Sequence, residues 1–147
     1  MFYVASSWRN EMQPYVVIAL RHAGLAVYDF KNPPDSTAFS WSQIDPAWHA
    51  WNPQRFIAGL QHPLAQAGFA SDMGALNECT AGILVLPSGR SAHLEAGHVI
   101  GKGKPLAIYL GSRLVRPELM YLMADHMTDD LASLVNWARK VAEQVRP

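Results

Sequence analysis

Residues 82–86 read GILVL, and the chain continues through 87–105 as PSGRSAHLEAGHVIGKGKP. Five apolar residues in an unbroken run that stops at a proline are the pattern of a strand buried on both faces, because helices cover both sides of a parallel sheet. The polar loop that follows, the small and apolar residues through 92–100 and the glycine-rich stop predict a helix starting near Ser91. Residues 105–110, PLAIYL, return to strand-forming types. Strand, helix and strand in succession form a parallel crossover unit, which places the chain among α/β folds.

The same alternation repeats toward the N-terminus. Phe2 to Ala5 reads as a strand running into the polar loop Ser6 to Asn10. Pro14 suits a first helical turn, Val16, Val17 and Leu20 recur at helical spacing, and Gly24 suits a left-handed cap. Leu25 to Tyr28 resumes strand types and stops at Asp29. Pro33 and Pro34 exclude regular structure beyond it. Residues 31–53 carry Trp41, Trp48 and Trp51 and read as a long insertion at a functional edge. Residues 55–67 predict a helix that Gly59 and Pro63 weaken. A new helix is predicted from about Ser71, with Asp72 in its first turn and Met73, Leu76 and Cys79 on its buried side. Residues 118–124 fit either strand or helix, whereas Thr128, Asp129 and Asp130 open a last helix whose Leu131, Leu134, Val141 and Val145 lie near one face. The expected architecture is one domain over 1–147, a doubly wound, flavodoxin- or Rossmann-like five-stranded parallel sheet flanked by helices. Ligands of such sheets bind beyond the carboxyl ends of the strands, which here brings the loop 6–10 beside the loop 88–91.

Composition narrows the function classes. The 147 residues suit one core, and 50% hydrophobic against 16% charged residues leaves no sign of disorder. Twelve basic and twelve acidic side chains cancel without a basic run, so no nucleic-acid partner is expected. One cysteine, Cys79, forms neither an internal disulfide nor a thiolate zinc cage, which favours the cytoplasm. The first residues lack a basic, long-apolar leader and no segment reaches the roughly 20 apolar residues of a membrane span, so no membrane association is expected.

Helices in this architecture begin at the ligand edge, so carboxylates in their first turns face a site. Glu95, four residues after Ser91, and Asp72 both meet that condition on the predicted helices. The helix dipole would favour ionised Glu95, as a nucleophile requires, although an acid near a helix start also serves the dipole alone. Asp72 has a similar structural reading, as a helix-start acid making a local hydrogen bond. As a pair they suit displacement at a glycosidic carbon, in which one carboxylate meets the sugar and a second group protonates the departing base.

The stretch GILVLPSGRSAHLEAGHVIGKGKP resembles the signature of the nucleoside 2-deoxyribosyltransferase superfamily: an apolar strand, a small-residue loop, a nucleophilic Glu, a Gly two residues on, and Gly-Lys-Pro before the next strand. Glu95, Gly97, Gly103, Lys104 and Pro105 match. The opening strand with its ASSWR loop is similar as well, and Asp72 stands where relatives carry an acid ahead of the third strand. The resemblance implies a nucleoside or nucleotide substrate, a glycosyl-Glu95 intermediate, no cofactor, and a homodimer or higher homo-oligomer. One position departs: base-exchanging relatives usually carry Asp six residues before the Glu, and here that residue is Gly89. Ser88, Arg90 and Ser91 are closer to the loop of the superfamily's nucleotide N-glycosidases, which holds a 5'-phosphate.

Ser7 and Arg9 are candidates for sugar or phosphate contacts, the alternative being a capping serine and a solvated arginine. Trp41, Trp48 and Trp51 are candidates for stacking on a base, and at least one of them for a small core under the insertion. His93 and His98 stand five apart, a poor spacing for sharing a metal, and His93 is the one expected to border the pocket. Met120, Met123 and Met127 read as core or subunit contact. A runner-up from another class is a non-catalytic nucleotide-sensing module on the same fold. A phospho-receiver fits less well, because Leu86 and Pro87 stand where it needs Asp, and a flavin carrier less well, because Trp8 and Arg9 interrupt its phosphate loop.

Overall fold

The computed structural model describes residues 1–34, 38–111 and 116–144. Five parallel strands form one sheet in the order β2-β1-β3-β4-β5, namely β1 (Phe2–Ala5), β2 (Val27–Asp29), β3 (Ala81–Val85), β4 (Leu106–Tyr109) and β5 (His126–Thr128). The first strand pairs on both edges, with Tyr3 beside Tyr28 on one side and Gly82 on the other. The expected doubly wound α/β fold is therefore the observed one.

Two helix layers cover the sheet. On one face α1 (Gln13–His22) and α5 (Leu131–Gln144) bury Val16, Val17, Leu20, Leu134 and Ala138 against Phe2, Val4, Ile83 and Val85. On the other face α3 (Pro63–Glu78) and α4 (Arg90–Gly101) bury Ala75, Leu76, Ala92, Ala96 and Val99 against Tyr3, Ala5, Tyr28 and Leu84. Alternate residues of each strand serve opposite layers because side chains alternate across a strand. Gly24 takes φ +78 just past α1, as a left-handed cap does.

Four local expectations change. The helix expected over 55–67 is two helices, α2 (Pro53–Leu60) and α3, divided where Pro63, without an amide hydrogen, cannot continue the first but opens the second. Asn52 caps α2 by accepting from Arg55 N at 2.9 Å, and His62 Nδ1 accepts from Leu64 N at 3.2 Å at the start of α3. No helix begins at Ser71: α3 runs unbroken from Pro63 to Glu78, so Asp72 lies in its interior rather than its first turn. The helix after β3 begins at Arg90 with Gly89 as N-cap, so Ser91 is inside it and Glu95 is in its second turn. The fifth strand is His126–Thr128. Residues 118–124 contribute neither strand nor α-helix but a 3-10 helix, Leu119–Met123. Asp125 sets that strand in register through its Oδ2, accepting from Leu106 N at 2.8 Å, and its own N–H, donating to Leu106 O at 2.9 Å.

The last helix begins as read: Asp130 accepts from Ala132 N and Ser133 N at 3.0 and 3.1 Å. Val145 lies outside the described residues. Within 31–53, two short 3-10 helices, Trp41–Gln43 and Trp48–Ala50, carry a small aromatic core in which Trp41 meets Phe39, Trp51 and Phe56 edge to face. Trp51 lies over Gly59, where a Cβ would stand 2.6 Å from its ring, and donates Nε1–H to Asp45 Oδ2 at 2.6 Å. No helix among the described residues is long and apolar enough to cross a membrane.

Candidate active site

Beyond the carboxyl ends of β1 and β3 the two loops are tied together, as the topology requires. Ser6 Oγ donates to Val85 O at 2.8 Å, and the buried Asn10 donates Nδ2 to Val85 O and Pro87 O at 3.2 and 3.0 Å. Lys31 Nζ reaches Asn10 O at 2.9 Å and so fastens the end of β2 to the same knot.

Beside this knot a cleft of about 1170 Å³ runs between α3 and α4. Its α3 wall is Ala65, Phe69, Asp72, Met73 and Leu76, spaced as one helix face. The α4 wall is Ser91, Leu94, Glu95 and His98, spaced likewise, and Phe39, Trp41 and Trp48 lie across from them. A smaller recess of about 70 Å³ adjoins it, bounded by Trp8, Tyr28, Phe30, Phe39, Ser71 and Asp72. Phe39 sits tightly on Gly68, where a Cβ would approach to 2.9 Å, so the small residue lets the insertion close down on α3.

Glu95 and Asp72 share this cleft. Burial raises the Glu95 carboxyl from 4.5 to about 7, and the charge of Asp72 adds to the rise. The dipole effect expected to keep Glu95 ionised is overruled, because the residue sits past the first turn and is withdrawn from water. Asp72 is also raised by burial, against the hydrogen bond from Tyr28 that favours its charged form. Two carboxyls in one desolvated cleft resist double ionisation, and the pair keeps a proton into the neutral range.

Two tyrosines support the pair. Tyr28 Oη donates to Asp72 Oδ1 at 2.8 Å and lies 2.9 Å from Ser71 Oγ. Tyr3 stacks on Tyr28 at 5.3 Å and 16°. The buried Tyr3 hydroxyl meets no partner of regular hydrogen-bond geometry among the described residues, yet it is near enough to Glu95 for the phenol to favour the ionised carboxylate. Burial and the two carboxylates hold the Tyr3 proton in place far above the ordinary range.

Of the candidate site residues singled out in the sequence, Glu95, Asp72, Arg9, Ser91, Trp41 and Trp48 line the cleft, and Trp51 does not. Ser88, Gly89 and Arg90 do not line it. Ser88 is half-buried against His93 at 3.4 Å, Gly89 caps α4, and Arg90 is exposed. Ser7 turns its own loop by accepting from Arg9 N at 3.2 Å. The two histidines exchange their expected places: His98 lines the cleft, whereas His93 stacks on Tyr121 and binds Gly89 O and Tyr121 Oη, each at 2.9 Å. A helix starting at 90 turns 91, 95 and 98 to one side and 93 away from it. Tyr3, Tyr28, Ser71 and Asn10 were not among the candidate site residues of the sequence. Strand alternation puts Tyr3 on the face of Ala5, but only the packing of α3 against β2 shows that Tyr28 meets Asp72. Among the described residues no cluster of three or more His, Cys, Asp or Glu side chains is placed to hold a metal ion. No protein-family model matches the chain, and no curated protein matches it.

Proposed function

We propose that the protein cleaves or transfers at the N-glycosidic bond of a (deoxy)nucleoside or its 5'-monophosphate, through a covalent glycosyl-Glu95 intermediate. The observation that carries this reading is the Glu95 and Asp72 pair, two coupled carboxyls in one aromatic-walled cleft at the carboxyl edge of the sheet. The Glu95 carboxylate attacks the anomeric carbon. The bond to the base breaks with its electron pair going to the base nitrogen, and Asp72 supplies the proton. Water, or a second base, then takes the sugar from Glu95, and its proton returns to the pair. Attack needs Glu95 ionised and Asp72 protonated, the arrangement in which the pair's one proton lies on the aspartate.

The resemblance to the nucleoside 2-deoxyribosyltransferase superfamily leads to the same reading, including a homo-oligomer that works without a cofactor, and the single cysteine fits a cytoplasmic protein. Flat aromatic faces at Trp8, Phe39 and Trp41 suit a planar base, and Arg9 and Ser91, which both line the cleft, suit a sugar hydroxyl or phosphate. The test is chromatographic. The protein is incubated with a panel of nucleosides and 5'-monophosphates, with and without a second free base. Release or exchange of base, lost in Glu95→Gln, is the expected result; no release from any member of the panel sinks the proposal and favours a binding module.

A further inference from the structure

Ser71, Tyr28 and Asp72 form a directed chain. The one Tyr28 proton is committed to Asp72 Oδ1 at 2.8 Å, so Ser71 is the donor across the 2.9 Å contact to Tyr28 Oη. The chain is rigid, because Tyr28 is only 5% exposed and its ring is stacked on the still more buried Tyr3. We propose that Tyr28 is a positioning residue that decides which of the two carboxyls holds their shared proton, by presenting Asp72 with a fixed donor that the carboxylate form accepts.

Successive hydroxyls pointing the same way polarise one another toward the terminal acceptor, which strengthens the bond to ionised Asp72. A protonated Asp72 still accepts from Tyr28 through its carbonyl oxygen, but more weakly than the carboxylate does, and a proton on Oδ1 itself would reverse the Tyr28 and Ser71 hydroxyls together. Asp72 is therefore the ionised member at rest and Glu95 the protonated one, in line with Glu95 being raised to about 7 partly by the Asp72 charge. The other titratable or charged groups facing the pair are Tyr3 from β1, Arg9 from the loop after it and His98 from α4. On the glycosidic reading, the resting protonation is the reverse of the one needed for attack, so Tyr28 sets how readily the site becomes active. The proton order itself does not depend on that reading.

The experiment is a carbon-13 NMR titration of the Glu95 and Asp72 side-chain carboxyls in the substrate-free protein, for wild type, Tyr28→Phe and Ser71→Ala. Phenylalanine keeps the stacked ring and removes only the donor. The Asp72 midpoint is expected to rise and the Glu95 midpoint to fall in Tyr28→Phe, with a smaller movement in the same directions in Ser71→Ala. Unmoved midpoints in a folded Tyr28→Phe overturn the inference; if that variant does not fold, unmoved midpoints in Ser71→Ala do so. Where base release is detected, the two limbs of the pH profile of kcat/KM in Tyr28→Phe should move toward each other, while its maximum rises by up to about tenfold as more of the pair carries its proton on Asp72. A lower maximum with both limbs in place is the signature of a merely structural tyrosine and also overturns it. Shifted midpoints in a protein that releases no base leave the proton order standing and remove the glycosidic reading.

Discussion

Phe2 and Val4 turn to one face of the sheet and Tyr3 and Ala5 to the other, and from that alternation two unlike regions grow. The α1 and α5 face closes largely on branched and aromatic hydrocarbon with Leu134 fully buried, and its titratable strand residues, Asp29 and Tyr109, stand at strand ends, where Asp29 Oδ1 accepts from Gln13 Nε2 at 2.7 Å. The α3 and α4 face meets the sheet through Ala75, Ala92 and Ala96, small residues over two tyrosines, and the helices diverge into a cleft that holds both carboxyls. The contrast teaches that stability and chemistry are divided by strand parity. The α1 and α5 face can hold the sheet while the other face carries the two desolvated carboxyls, whose burial costs free energy unless they are paired.

That division can be broken most sharply at Glu95. Glu95→Gln should lower turnover by several orders of magnitude while the far-ultraviolet dichroism of the folded protein stays unchanged. Near-normal base release from that variant would end the nucleophile assignment. Asp72→Asn should slow release of a poor leaving base by ~10² to 10⁴ and an activated base much less. Equal slowing of both substrates would leave Asp72 a positioning group without an acid role.

On the opposite face the effects should be on stability alone. Leu134→Ala should cost about 2–5 kcal/mol in denaturant unfolding, as buried leucine truncations do, with turnover per folded molecule unchanged. A matching loss of turnover would show that the faces are not independent. The active face should instead show itself in pH dependence. The Glu95 carboxyl is raised in the fold from 4.5 to about 7, so its protonated form is favoured by folding. Its contribution is full below the unfolded value and lost as pH rises through the folded one, up to about 3 kcal/mol between acid and neutral solution. Denaturation at pH 5 and pH 8 should reveal that loss in the wild type, and Glu95→Gln should remove it. The smallest effect concerns the anion. If the 5'-monophosphate is preferred through the loop after β3, Arg90→Ala should lower kcat/KM for the monophosphate about tenfold and leave the nucleoside alone. Because Arg9 rather than Arg90 lines the cleft, Arg9→Ala is the matched variant. A loss seen only there relocates the phosphate contact to the first loop.

The residues explain which parts of this were legible. Unbroken apolar runs at 2–5 and 82–86 and the helical spacing of Val16, Val17 and Leu20 carry their own period, and they became buried strands and a buried helix. The three-residue strand His126–Thr128 is too short to carry a period, and its place comes from Asp125 binding Leu106 across the sheet. Asp72 was found for a reason that does not hold. It lies in the middle of α3, and it faces the cleft because the helix presents that side to β2 and α4, not because a helix begins there.

The sequence by itself determined the α/β class, the crossover through α4, the meeting of the loops after the first and third strands and the candidacy of Glu95, because each is written in local periodicity, in turn residues or in a contiguous motif. Only the tertiary structure decided that Glu95 and Asp72 share one desolvated cleft, that Tyr28 and Ser71 hold Asp72, and that His98 rather than His93 borders the site. Those facts join residues up to 44 positions apart. They depend on where helices settle on a twisted sheet, which is the sum of many packing contacts and is carried by no single stretch of the chain.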